Sequence, residues 1–127
     1  MANKILIIED DKLLKKIISK KLEKEKYETI GAVDGEEGLR LSDSEQPDLI
    51  LLDLVLPETN GFEVLARLKK NPNTLKIPVI ILSNLGDEEK VEKGLELGAA
   101  DYLIKAHLDP GDIIERIKKV LNKKGRN

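Results

Sequence analysis

The sequence predicts a doubly wound α/β domain, a parallel five-stranded sheet in the order 2-1-3-4-5 with helices on both faces. Three observations point to it. Aliphatic runs without alternation, Ile5-Leu6-Ile7-Ile8, Leu49-Ile50-Leu51-Leu52 and Val79-Ile80-Ile81-Leu82, suit strands buried on both faces, as parallel strands are. Between them lie segments with apolar residues at helical spacing, so strand and helix alternate as in parallel βαβ units. A length of 127 residues fits one domain with a sizeable core.

The first strand is Ile5 to Ile8. Leu13, Leu14, Ile17, Ile18 and Leu22 then recur at intervals of three and four, which predicts a helix with these five on its inner face and the interspersed lysines on the wet side. Thr29 to Val33 reads as the second strand, closed by Asp34-Gly35, and a helix follows from Glu36 to about Ser44. Pro47 and Asp48 introduce the third strand, which ends at Asp53. A turn-rich loop, Pro57-Glu58-Thr59-Asn60-Gly61, precedes a helix that carries Phe62, Val64, Leu65 and Leu68 and stops near Asn71-Pro72.

The fourth strand runs from Val79 to Ser83. The helix after it, about Glu88 to Leu97, has an internal Gly94 and few apolar anchors, Val91, Leu95 and Leu97. An internal glycine costs about 1 kcal/mol relative to alanine, so this helix is expected to be the least rigid. The fifth strand is Asp101 to Ile104. Asp109-Pro110 caps the last helix, whose inner face is Ile113, Ile114, Ile117, Val120 and Leu121. The tail from Asn122 to Asn127 is polar and expected to fray. No linker or repeat interrupts 1–127, a single domain with its core at about 4–122.

Composition removes several function classes. With no cysteine, disulfides, thiol catalysis and zinc-thiolate sites are excluded. Aromatic residues are 2% of the chain and Trp is absent, so base-stacking platforms are missing. A net charge of -2 with both signs interspersed gives no field favouring nucleic acid or a membrane surface. No apolar run approaches the roughly 18 residues of a membrane span or the length of a signal peptide's apolar segment. A cytoplasmic protein without direct nucleic-acid or membrane partners is the expectation.

The chemistry lies at the strand ends. The four apolar runs stop on Glu9 and Asp10, on Asp53, on Ser83 and, after Tyr102-Leu103-Ile104, on Lys105. In a parallel sheet these ends share one edge, and the order 2-1-3-4-5 opens a crevice between the first and third strands. Three carboxylates there repel one another, each pair by about 4 kcal/mol at 4 Å if the effective dielectric is near 20. A cation must hold them, and oxygen ligands without His or Cys favour Mg²⁺. Asp11 is placed to cap the first helix. Asp53 follows four aliphatic residues, where an unpaired charge is costly, and a carboxylate can attack phosphorus to form an acyl phosphate. The three oxygens of that group would be met by Mg²⁺, the Ser83 hydroxyl and the Lys105 ammonium. Read singly, Ser83 suits a helix cap and Lys105 a surface lysine; their shared position at strand ends favours a site. His107, the single histidine, reads as a solvated loop residue.

With these residues assembled, the chain from 4 to about 122 resembles a receiver domain of the bacterial two-component response-regulator family, a flavodoxin-like (βα)5 sandwich. The matching segments are Ile5 to Asp10, Pro47 to Asp53 with Pro57 and Gly61 four and eight residues on, Ile77 to Ser83, and Gly98 to Lys105. Four motifs in register are far more specific than any one. The resemblance implies that Asp53 is the phosphoacceptor, Glu9 and Asp10 the acidic pair, Ser83 the switch hydroxyl, Tyr102 the switch aromatic and Lys105 the phosphate-pairing lysine. It further implies that Asp10, Asp53 and the backbone carbonyl of Val55 bind Mg²⁺, with Glu9 acting through water. A sensor histidine kinase or histidine phosphotransfer domain would supply the phosphoryl group, and the surface of helix 4, strand 5 and helix 5 would carry the output. The implied role is that of a signalling phosphoacceptor with slow self-dephosphorylation, not an enzyme. No effector segment follows residue 127, so the output is expected to lie elsewhere.

Three departures from the family pattern stand out. Ala106 replaces the proline that usually follows the lysine, commonly through a cis bond. A cis bond before a non-proline costs about 2.5–4 kcal/mol, so this loop is either trans with another shape or strained. Asn84 is larger than the small residue usual beside the switch hydroxyl, and implies an altered lifetime of the phosphorylated state. Val55 and Leu85 are apolar where some members place water-orienting polar groups, which points to slow hydrolysis. Three other readings stay open. An aspartate-based phosphohydrolase would commonly place an acid two residues after the nucleophile, where Val55 stands. A flavin-mononucleotide module would need donors, not Glu9-Asp10-Asp11, in its first loop. A degenerate receiver would act as a phosphorylation-independent docking module.

Overall fold

A computed structural model describes residues 3–125. Within them, β1 (Lys4–Ile8), β2 (Glu28–Ala32), β3 (Leu49–Leu52), β6 (Val79–Ser83) and β7 (Asp101–Ile104) form a parallel sheet in the order β2-β1-β3-β6-β7. This is the expected 2-1-3-4-5 once a small hairpin, β4 (Val55–Leu56) with β5 (Thr59–Asn60), is set aside. The helices are α1 (Lys12–Lys24), α2 (Gly35–Glu45), α3 (Gly61–Lys70), α4 (Glu88–Glu96) and α5 (Pro110–Gly125).

Alternation along the strands divides the core into two layers. Ile5, Ile7, Leu49, Leu51, Ile80, Leu82 and Leu103 pack with Ile18 and Leu22 of α1 and Ile113, Ile114 and Ile117 of α5. On the other face Leu6, Ile8, Ile50, Leu52, Val79 and Ile81 meet α3 through Phe62, Val64, Leu65 and Leu68. Every residue of β3 and β6 is buried, as the unalternating runs require of strands covered on both sides.

Several expectations need correction. The inner face of α1 is narrower than its five apolar residues suggested. Ile18 and Leu22 are buried and Leu14 is partly so, but Leu13 is 68% exposed and Ile17 is exposed as well. Leu14, Ile18 and Leu22, spaced by four, form the row on the sheet, and Leu13 and Ile17 lie in the next row outward. The second strand ends at Ala32, because the Val33 N–H donates to Glu37 Oε1 at 2.9 Å and so belongs to the cap of α2. The loop after Asp53 contains the β4–β5 hairpin, with Glu58 left-handed at its tip (φ 60°). The tail expected to fray from Asn122 is helical through Gly125, and Arg126 and Asn127 lie outside the described residues.

The caps follow the sequence. Asp11 accepts from Leu14 N–H, Asp34 from Glu37 N–H and Asn60 from Phe62 N–H. Asp109 and Asp112 each accept the other's N–H at the start of α5, a reciprocal closure of the helix terminus.

Candidate functional site

The site is built on the last rungs of the sheet. Glu9 N–H donates to Ala32 C=O and Asp53 N–H to Ile8 C=O, both at 3.0 Å, so both acids leave the carboxyl ends of their strands with fixed backbones. Glu9 is 2% exposed and Asp53 5%, whereas Asp10 faces solvent. One carboxylate oxygen from each of Glu9, Asp10 and Asp53 lies within 4.8 Å of the other two. Asp11 takes no place in the cluster and serves α1 as its cap.

Lys105 closes the cluster from β7. Its Nζ is 2.8 Å from Glu9 Oε1 and 3.1 Å from Asp53 Oδ2. Ala106 does not prevent this. Among the described residues no peptide bond is cis, and Lys105–His107 forms a single 3₁₀ turn that aims the lysine inward. The remaining oxygens are held by backbone donors, Asp53 Oδ1 by Val55 N–H and Glu9 Oε2 by Asp11 N–H, both at 3.1 Å. Glu9 Oε1 is buried and lacks a hydrogen bond of good geometry, with the ammonium close to it but out of line.

The charges shift one another. Burial, with the Asp53 charge adding to it, pushes the Glu9 carboxyl up to about 7 despite Lys105 and the Asp11 N–H. Burial alone would lower Lys105, but its contacts with Glu9 and Asp53 outweigh this and hold it above its ordinary value, so it is an ammonium at neutral pH. Three carboxylates facing one ammonium, with a buried oxygen short of a partner, form a hard, oxygen-only donor set that fits a divalent cation.

Ser83 is fully buried at the end of β6, and its Oγ accepts from Leu85 N–H at 3.1 Å. The pairing of Leu52 with Ile81 places Asp53 level with Leu82, so Ser83 stands one residue further along the neighbouring strand. Tyr102 is half-buried on β7 beside Ile81, and its hydroxyl donates to the Leu85 carbonyl. Burial pushes its phenol up. Val55, two residues after Asp53, is 60% exposed, and Asn84 and His107 are exposed as well. Two features escaped the sequence reading. Leu85 joins Ser83 to Tyr102 through its main chain, the N–H to one and the carbonyl to the other, which leaves no residue-type signal. Gly61 packs on the strand end itself, where a Cβ would stand 2.4 Å from Leu54 Cα and 2.7 Å from Asp53 O. The glycine eight residues after Asp53 was visible, but not its reason.

An open parallel sheet with acids and a lysine gathered at its carboxyl edge defines a flavodoxin-like α/β domain with a charged crevice at the topological switch point. The chain belongs to the response regulator receiver domain family, whose model matches residues 5–118. It is 40% identical over 97% of its length to 51% of the DNA-binding dual master transcriptional regulator RpaA of Synechocystis. It is 38% identical over 95% of its length to 52% of the phosphate regulon regulatory protein PhoB of Pseudomonas aeruginosa. The chain thus spans about half the length of the curated relatives it matches. Among solved structures, it is similar to a CheY-like response regulator receiver domain protein from Methanospirillum hungatei, with 30% identity, a TM-score of 0.90 and coverage of 99% and 98% of the two chains. It is also similar to the receiver domain of the Francisella response regulator 1452, with 33% identity, a TM-score of 0.88 and coverage of 96% and 98%. It is a signalling domain of phosphorelay systems, and no described helix is long and apolar enough to cross a membrane.

Proposed function

We propose that the chain, as a single receiver domain, accepts a phosphoryl group on Asp53 from the phosphohistidine of a cytoplasmic histidine kinase or histidine phosphotransfer domain. The observation that carries this reading is the buried Asp53 carboxylate held 3.1 Å from Lys105 Nζ and within 4.8 Å of oxygens of Glu9 and Asp10. An Asp53 oxygen attacks phosphorus, the P–N bond breaks, and the imidazole leaves with the bonding pair as an acyl phosphate forms. Lys105 holds the transferred oxygens by charge, and Ser83 offers its hydroxyl to them. Asp10, Asp53 and the Val55 carbonyl would hold Mg²⁺, with Glu9 acting through water; the ion supplies neutralisation of charge on the phosphoryl oxygens.

The signal leaves through Ser83 and Tyr102. Drawing Ser83 toward the phosphoryl group disturbs its bond to Leu85 N–H, and Leu85 is the residue that holds the Tyr102 hydroxyl. The face of α4, β7 and α5 is therefore the output surface. A phosphorylation-independent docking role is the weaker reading, since the acid-lysine cluster is complete despite Ala106 and Asn84. The test is transfer of labelled phosphoryl from a phosphorylated histidine donor. Wild type takes the label and Asp53→Asn does not; labelling of Asp53→Asn at the wild-type level would refute the assignment.

A further inference from the structure

Of the described residues of α4, Gly94 alone is buried. Leu95 is 46% exposed, so the one residue of the helix fully covered has no side chain. A Cβ at 94 would stand 2.6 Å from Ile81 Cδ1, 3.1 Å from Tyr102 Cδ2 and 3.4 Å from Tyr102 Cε2. The glycine read from sequence as a weak point in the helix is thus a point where α4 lies close against Ile81 and the aromatic ring.

The two neighbours differ in their freedom to yield. Ile81 is fully buried in β6, between Leu52 of β3 and Tyr102 of β7, and close-packed cores resist such a shift. Tyr102 is half-buried on β7, at the sheet edge, with solvent within reach of a χ1 rotation. An added methyl group forces the end of the Ile81 side chain to turn within the core and crowds the ring of Tyr102, whose open direction is outward.

We propose that Gly94 is the gate of the Tyr102 switch: the missing side chain makes the space in which the ring lies under α4, and the size of residue 94 sets the balance between ring-in and ring-out. Tyr102 holds the Leu85 carbonyl, and Leu85 N–H holds Ser83. A ring turned outward breaks the first of these links and opens a void under Gly94. Helix α4 and the strand end beside Asp53 are thereby coupled through one methyl-sized space. The signalling consequence rests on the phosphoacceptor reading above; the packing claim does not.

The test uses a Tyr27→Phe background, in which Tyr102 is the sole tyrosine of a chain that has two and no Trp. Gly94→Ala is expected to roughly double the acrylamide quenching constant of tyrosine fluorescence and to lower the thermal midpoint. In an unconstrained helix the same change raises the midpoint. In a Tyr102→Ala background the loss caused by Gly94→Ala shrinks or reverses. Unchanged quenching with a raised midpoint overturns the proposal. So does an equal loss, or failure to fold, in both backgrounds, which would assign the collision to Ile81. Labelling with acetyl phosphate and Mg²⁺ separates the two readings. If wild type and Gly94→Ala label equally, the phosphoacceptor reading holds and quenching decides the gate. If wild type does not label, that reading fails and the gate stands or falls on quenching alone.

Discussion

Lys105 Nζ lies 3.1 Å from Asp53 Oδ2 across 52 residues of chain, and the same ammonium touches the buried Glu9. One cation thus spans the carboxyl ends of β1, β3 and β7. Replacing it with Met leaves two nearly buried carboxylates facing each other. Lys105→Met is expected to lower the stability of the metal-free protein by about 1–3 kcal/mol, with part of the loss recovered by Mg²⁺. Urea midpoints with EDTA and with Mg²⁺ check both statements; a midpoint equal to wild type in EDTA contradicts them.

Glu9 gives the metal-free protein a pH dependence of definite sign. Its carboxyl rises from 4.5 to about 7 in the fold, so between those values the folded protein keeps a proton that the unfolded chain releases. Stability is therefore fullest below the lower value, falls as pH rises through the window, and levels off above the upper one. Urea midpoints across this range should show the fall, and Glu9→Gln should remove it. A slope of opposite sign in wild type that Glu9→Gln removes would show that Glu9 is not raised.

Gly61 is required by backbone, not by flexibility. A Cβ there would meet Leu54 Cα at 2.4 Å and Asp53 O at 2.7 Å, and neither atom can retreat without moving the end of β3. Gly61→Ala is expected to cost about 2–4 kcal/mol and to weaken Mg²⁺ binding, since the loop carrying Val55 shifts. Wild-type stability in this variant would contradict the packing account.

Much of the fold was legible because burial on both faces leaves unalternating aliphatic runs, and β1, β3 and β6 appear where those runs lie. The candidate site was legible for the same reason, since a reactive residue ending each run needs only a parallel sheet to bring it to one edge. Other features left no such trace. The β4–β5 hairpin has two residues per strand, too few for any period to emerge. The outward turn of Leu13 depends on how wide a strip of α1 the sheet covers. The approach of Gly94 to Tyr102 is a tertiary fact that helix propensity, read alone, turns into a weakness.

Asn84 is exposed directly after the fully buried Ser83, the residue proposed to meet the phosphoryl group on Asp53. Asn84→Ala is expected to change the lifetime of the phosphorylated protein several-fold with little effect on the urea midpoint. A dephosphorylation rate equal to wild type would remove Asn84 from the account.

The most direct measurement is the intact mass of the protein after incubation with acetyl phosphate and Mg²⁺. Wild type is expected to gain the mass of one phosphoryl group, a gain lost when Mg²⁺ is replaced by EDTA and absent from Asp53→Asn. An equal gain on Asp53→Asn, or none on folded wild type with Mg²⁺ present, would contradict it.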